Sequence, residues 1–441
     1  MPTNSSDMTA ILEGSIPEYL RAMGPSWVAG SIAAGPASMA SLIAAGAGFD
    51  YTLLWVVLLS PIAGALAQYL AMRLGLLTEA GIVTVVEQSL GEKWAWLLVA
   101  DVVIAAGVAQ LVIMKTVATV SATITGIGTG TWGVVWAVIV ALGLAGRGYR
   151  LLEIAAKLLV SGVVIAFVAS AFVVPLDVGQ AVNGLVPTLP GGTALVAAGI
   201  LGGAVHITLI TMHSYTMQAR DWSVGNYGLA TFDVIASMLV AFGIYSIAIF
   251  LVAASVLSDP SLSTVGAAQA LGPLVGESAK WLFLLGLGGA AVSTLGGNTI
   301  VPPFLVADKL GWQTSVEDTR YRGLVAAFAL LSAPGAFIGG RVLGQLVLVL
   351  ALGTIGTPFA IAIVLYLLNA DAVPASNSIL ANVGGGLLLV VSGTLAANFV
   401  REQLGAGVGP LSGAVLVFAV ILGLATFVVI GKFLREEVLT S

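Results

Sequence analysis

The chain has 441 residues, of which 59% are hydrophobic and 8% charged, with a mean hydropathy of +1.07 and a formal net charge of −5. Soluble domains carry about 25% charged residues, so a water-soluble globular protein is excluded. The absence of cysteine removes disulfides and thiolate metal sites.

Residues 1–24, which include MPTNSSDMTAILEGSIPEYLRAM, read as a soluble N-terminal arm rather than a signal peptide. Beyond it, apolar runs of bilayer-spanning length recur and are continuous rather than alternating. They therefore predict an all-α polytopic membrane protein and not a barrel. Twelve spans are predicted, at 25–46, 51–73, 94–122, 131–146, 152–175, 194–218, 226–256, 278–305, 323–340, 343–368, 377–398 and 411–433. An even number leaves both termini on one side. Twelve of the 16 Lys and Arg fall there, whereas Lys280, Arg341 and Arg401 fall opposite and Lys115 lies inside the third span. The positive-inside rule then places both termini in the cytoplasm, in a cytoplasmic (inner) membrane.

The first span carries AAGPAS near its centre and the sixth carries GILGGAVHITL. These spans are five apart and cross in opposite directions, as the leading members of two inverted repeats would. Gly/Pro interruptions in corresponding halves point to a midplane transport site, where unwound backbone exposes carbonyls and half-helix ends. Glycine alone could serve helix packing. Pro36 and His206 are harder to explain that way.

Several segments in order resemble the NRAMP family of divalent metal transporters: GAGFDYTLLWVVLLSPIAGALAQYLAMRLGLLT, GYRLLEIAAKLLV, PTLPGGTALVAAGILGGAVHITLITMHSYTMQAR and STLGGNTIVPPFLVADKLGW. The resemblance implies a LeuT-like inverted repeat of five plus five helices with two peripheral helices. Its units would be residues 25–175 and 194–368, followed by 377–441. It also implies a secondary transporter working by alternating access.

The functional motifs differ. Where the family carries Asp-Pro-Gly-Asn, this chain has Gly35, Pro36, Ala37 and Ser38. Where it carries Met-Pro-His-Asn, this chain has His206, Ile207, Thr208 and Leu209. The acidic pair of the third span corresponds to Gly107 and Gln110, and the glutamine of the tenth to Gly356. The resemblance thus implies metal transport through a site without a carboxylate, and a third span stripped of its acids. The substrate contacts expected are Gly35, Ser38, Gly203, His206 and Thr208, with His206 and Ser38 as the only candidate metal ligands.

A divalent ion against one carboxylate at ~3 Å gains about 10 kcal/mol at an effective dielectric near 20. Without that attraction, three substrates remain reasonable: a divalent cation that keeps much of its water, as magnesium does; a monovalent cation; or a small organic solute. Proton-coupled Mn or Fe symport is not expected. A transport-inactive sensor or assembly protein is the rival class, though no enlarged soluble domain accompanies it.

Other embedded groups have two readings each. His213, seven residues after His206, is either a relay partner or a polar packing residue. Lys115 either snorkels outward or acts in coupling. Asp233, Arg150 and Glu153 read as structural groups near the cytoplasmic face. No phosphate-binding loop, zinc-protease pair or basic nucleic-acid patch occurs, so no ATP, cofactor, nucleic-acid partner or enzymatic activity is expected. The expected partners are the lipid bilayer and a small ion or solute, with a monomer as the working assumption.

Overall fold

A helical segment occupies each of the twelve predicted ranges in the computed structural model, which describes residues 19, 24–145, 149–258, 263–370, 373, 377–405 and 410–438. Most of the N-terminal arm and the side chains of Arg150, Glu153 and Lys157 lie outside the described residues. The first span is split into α1 (Pro25–Ala33) and α2 (Pro36–Phe49). α3 (Leu54–Thr78), α5 (Glu92–Thr125), α6 (Thr129–Ala145) and α7 (Tyr149–Ala171) are the second to fifth spans, with α4 (Ile82–Leu90) inserted before α5. The sixth is split into α8 (Ala194–Val205) and α9 (Ile207–Gln218). The seventh is α10 (Tyr227–Val234) and α11 (Phe242–Val256), joined by a π-helical stretch at Ile235–Ala241. The remaining spans are α12 (Ala279–Lys309), α13 (Thr319–Leu330), α14 (Val342–Asn369), α15 (Ile379–Gly405) and α16 (Pro410–Phe433).

Among the described residues, eight helices are long and apolar enough to cross a membrane, and shorter apolar helices accompany them. The spans do not share the core equally. In their most apolar stretches, 94% and 83% of the residues of spans six and ten are buried, against 33% and 22% in spans eleven and twelve. With most of Pro36–Phe49 also buried, spans one, six and ten form the centre, and the last two helices lie at the periphery, as expected.

Two departures have local causes. The ninth span was expected at 323–340, but α13 ends at Leu330 and a 3-10 turn over Ala333–Phe337 follows. Pro334 cannot continue an α-helical ladder, and the turn packs Gly335 against the Leu111 carbonyl, where a Cβ would lie 2.0 Å from the oxygen. The second departure is α4, an amphipathic helix of nine residues, too short to span a bilayer. Its Thr84 N–H and hydroxyl donate to Asp308 at 3.2 and 2.5 Å, Ile82 N–H donates to Ser214 Oγ at 3.0 Å, and Glu87 pairs with Lys309 at 3.1 Å. It ties α9 and α12 together at the same end of the bundle.

The first turn of α13 carries a pH-sensitive cap. Asp318 Oδ1 accepts from Arg320 N–H at 2.8 Å, and Arg320 Nη2 donates to Oδ2 at 2.8 Å. The Arg320 side chain, then its N–H, holds the Asp318 carboxyl down to about 2. A carboxylate whose proton affinity is lowered on folding contributes stability above its ordinary range, and that contribution is lost as pH falls. Hydrogen exchange in the first turn of α13 should accelerate as pH drops from about 4 toward 2, once intrinsic rates are factored out. Asp318→Ala should show the faster exchange already at neutral pH.

Candidate functional site

The break in the first span falls at Ala34–Gly35, just before the proline. Pro36 occupies the first position of α2, where its missing N–H removes no helical hydrogen bond and its fixed φ suits the helix. Ser38 Oγ reaches back across the break to donate to the Ala33 carbonyl at 2.5 Å. The Gly35 carbonyl accepts from the Tyr245 hydroxyl at 3.3 Å.

The sixth span is continuous through its glycines and breaks at His206, whose ψ of 138° ends α8 and begins α9. Gly199 and Gly202 serve packing instead. A Cβ on Gly202 would lie 2.3 Å from the Leu350 carbonyl of α14. Thr354 and Thr357 of α14 donate to the Ala198 and Val205 carbonyls at 2.9 and 2.8 Å, so the end of α8 is satisfied inside the bundle. His206 Nδ1 bonds Thr208 Oγ1 at 2.8 Å. Its Nε2 is buried without a partner and lies over Gly353 of α14, where a Cβ would sit 2.0 Å away.

The two breaks face one another. Ser38 Oγ lies 2.4 Å from where a Gly203 Cβ would be. Gly35, Ser38, Gly203, His206 and Thr208, the five residues expected at the site, all line one cavity of ≈ 40 Å³. That is room for roughly three waters. Two further polar lining residues were not anticipated, Thr294 and Asn298, four apart on α12. Thr294 Oγ1 is buried, has no partner and points at Gly35, 2.5 Å from an added Cβ. The lining donors are hydroxyls, an amide and an imidazole, with exposed backbone beside them and no carboxylate among them.

The other expected positions lie elsewhere. Gly107 has nothing within 4 Å of an added Cβ and does not reach the cavity. Gln110 is held in a neutral network, accepting from Asn298 Nδ2 at 2.8 Å and donating to Thr299 Oγ1 at 2.6 Å. His213 Nε2 bonds Ser26 Oγ of α1 at 3.0 Å, and Ser26 N–H donates to Asp233 Oδ2 at 2.8 Å. Lys115 neither opens to solvent nor lines the cavity. Its ammonium donates to the Gly339 and Gly340 carbonyls and to Gln345 Oε1 at 2.9, 2.6 and 2.6 Å, clamping α5 to the turn before α14.

One expectation is overturned. The third span is not free of acids, because Asp101 is buried in α5 at 1% exposure, and neither carboxylate oxygen has a hydrogen-bond partner. It faces Gly356 of α14, with its oxygens 2.5 and 2.6 Å from where a Cβ would stand. The glycine at that position thus makes room for a carboxylate from the neighbouring span. The signal was an ionisable residue inside an apolar run, LLVADVVIA, which by default marks function.

The Nramp family model, described as natural resistance-associated macrophage protein-like, matches residues 26–402. Similar relatives include a divalent metal cation transporter MntH of Yersinia pestis (strain Pestoides F), 29% identical over 315 residues covering 65% of this chain and 73% of that one. Another is MntH of Mycobacterium tuberculosis, 26% identical over 372 residues covering 81% and 85%. A crystal structure of the Eremococcus coleocola manganese transporter, bound to an aromatic bis-isothiourea compound, superposes with a TM-score of 0.70 at 17% identity, covering 99% of this chain and 96% of that one. With the family model spanning most of its length and the two broken helices facing one another at its centre, the chain belongs to the Nramp family of membrane transporters.

Proposed function

We propose that this protein is a secondary transporter of divalent metal cations, working by alternating access, with both termini in the cytoplasm. Substrate is held between the breaks of the first and sixth spans by Ser38, His206, Thr208 and the backbone around Gly35 and Gly203. The observation that carries this reading is the cavity of ≈ 40 Å³ where the two breaks meet. Small-molecule sites occupy about 300–1,000 Å³, so its size favours an ion over an organic solute.

The lining favours a divalent cation that keeps part of its hydration shell. Neutral oxygens and a single imidazole replace only some of the water around such an ion, and a bare dication without a carboxylate is costly to hold. The MntH relatives are named as divalent metal cation transporters, which supports the same class.

Proteoliposomes containing the wild-type chain should take up Mn²⁺ or Mg²⁺ faster than empty vesicles. His206→Ala should weaken the apparent affinity by about tenfold, on the scale of disturbing a metal site's polar partners. Wild-type vesicles that take up neither ion would overturn the proposal. Unchanged affinity in His206→Ala would remove His206 from the site.

A further inference from the structure

Along α14 the cavity and the two unpartnered groups form a descending series. Val349 and Leu350 line the cavity, His206 Nε2 lies over Gly353, and Asp101 lies over Gly356. With a rise of 1.5 Å per residue, these steps are about 5 Å apart. α5 gives the same order from the opposite direction: Ala109 and Ile113 line the cavity, and Asp101 lies about 12 Å nearer the Glu92 end. Asp101 is therefore one layer beyond the floor of the cavity, toward the end where α4 bonds Asp308 and Ser214.

Gly353 and Gly356 are three apart on one helix, so their Cβ positions fall on one face about 5–6 Å from each other. Each lacks a side chain where a polar group from another span takes its place. His206 is 5% and Asp101 1% exposed, and His206 Nε2 and both Asp101 oxygens have no protein partner. Two unsatisfied polar groups converging on one notch in an apolar interior incur a large desolvation cost unless something bridges them. Gln68 adds to this layer. It lies on the face of α3 whose Ser60 and Gly64 meet Ile200 and Ala204, which puts it near the depth of His206, and neither amide atom has a partner.

We propose that Asp101 and His206 form a second cation-binding station on the cytoplasmic side of the cavity, taking a partly hydrated divalent cation as it leaves the midplane. The carboxylate that the first span lacks is supplied by the third, one step further along the path. A carboxylate and an imidazole together suit Mn²⁺, Fe²⁺ or Zn²⁺ better than Mg²⁺, which takes oxygen ligands. Water completes the shell, since no cluster of three His, Asp or Glu occurs among the described residues. This station rests on the transport reading above.

The test uses the full chain in nanodiscs, titrated with Mn²⁺ alone and read by loss of the free-ion EPR signal. Asp101→Asn, nearly isosteric, should weaken Mn²⁺ binding by about tenfold or more. Gly356→Ala places a methyl against the carboxylate and should weaken binding through a residue that bears no ligand itself. A cooperative thermal transition certifies that each variant is folded, with a midpoint near wild type for Asp101→Asn and a modestly lower one for Gly356→Ala. Wild-type affinity in either folded variant would overturn the station, as would intact Mn²⁺ binding in Asp101→Asn accompanied by lost pH dependence of uptake, which would mark a proton site only. Vesicles with the wild-type chain that transport no divalent ion would instead overturn the transport reading itself.

Discussion

Gly353→Ala should abolish most divalent uptake while leaving the protein folded. The new methyl would meet His206 Nε2 and Cδ2 at 2.0 and 2.1 Å, in a ring whose other nitrogen bonds Thr208 Oγ1 at 2.8 Å. The imidazole is thus held from behind, and either it or α14 must move. Overpacking of this kind costs about 1–3 kcal/mol, and a shift of about 1 Å at a binding centre costs far more in rate than in stability. Uptake in proteoliposomes should fall by about tenfold or more, with a lowered thermal midpoint. The double variant Gly353→Ala/His206→Ala should recover the midpoint, because removing the ring removes the collision. Failure of the double variant to recover stability would show that the two residues do not meet.

Lys115→Met is the second large effect, and it bears on stability rather than transport affinity. The ammonium satisfies two carbonyls and one amide oxygen in a residue only 6% exposed. Replacing it by a thioether of similar length leaves those acceptors without their charged donor. Hydrogen bonds to charged groups contribute about 1.5–3 kcal/mol each, and the remaining acceptors recover part of the loss from water, so a net destabilisation of about 3 kcal/mol is expected. It should appear as a lower thermal midpoint with unchanged apparent affinity for the transported ion. A change in ion affinity without a change in stability would return Lys115 to a role in coupling.

The spans were legible in the sequence because a helix in hydrocarbon must satisfy its backbone internally and present apolar side chains all round. That condition writes long apolar runs, and every predicted range holds a helix. It does not hold at the bundle's ends, so α4 escaped notice and Pro334 cut the ninth span short. The position of the cavity was legible from Pro36 and His206, whose residue types interrupt helices or bring a polar group into them. Its full lining was not. Thr294 and Asn298 reach it only because α12 packs beside the break in the first span, a relation between residues more than 250 apart. Asp101 was open to inspection as a lone acid in an apolar run. The resemblance points to Gly107 and Gln110 instead, and only the fold shows that the carboxylate faces Gly356.

Both halves of the sixth span pack along α3, and α9 is also tied to the end of that helix, where Gln218 Nε2 donates to the Glu79 carbonyl at 3.0 Å, but most of their other hydrogen bonds run to different neighbours. α8 is bonded to α14 through Thr354 and Thr357 and to α3 through Ser60 Oγ, which donates to the Ile200 carbonyl at 3.1 Å. α9 is bonded to α1 through His213 and Ser26, to α4 through Ser214, and to α12 through the Tyr215 hydroxyl on Asp308 at 2.7 Å. In the proposed alternating-access cycle, rocking of one set against the other would bend the sixth span at His206, where its helical ladder is already broken. In that cycle, opening the path and loosening the hold on the ion would be a single mechanical event.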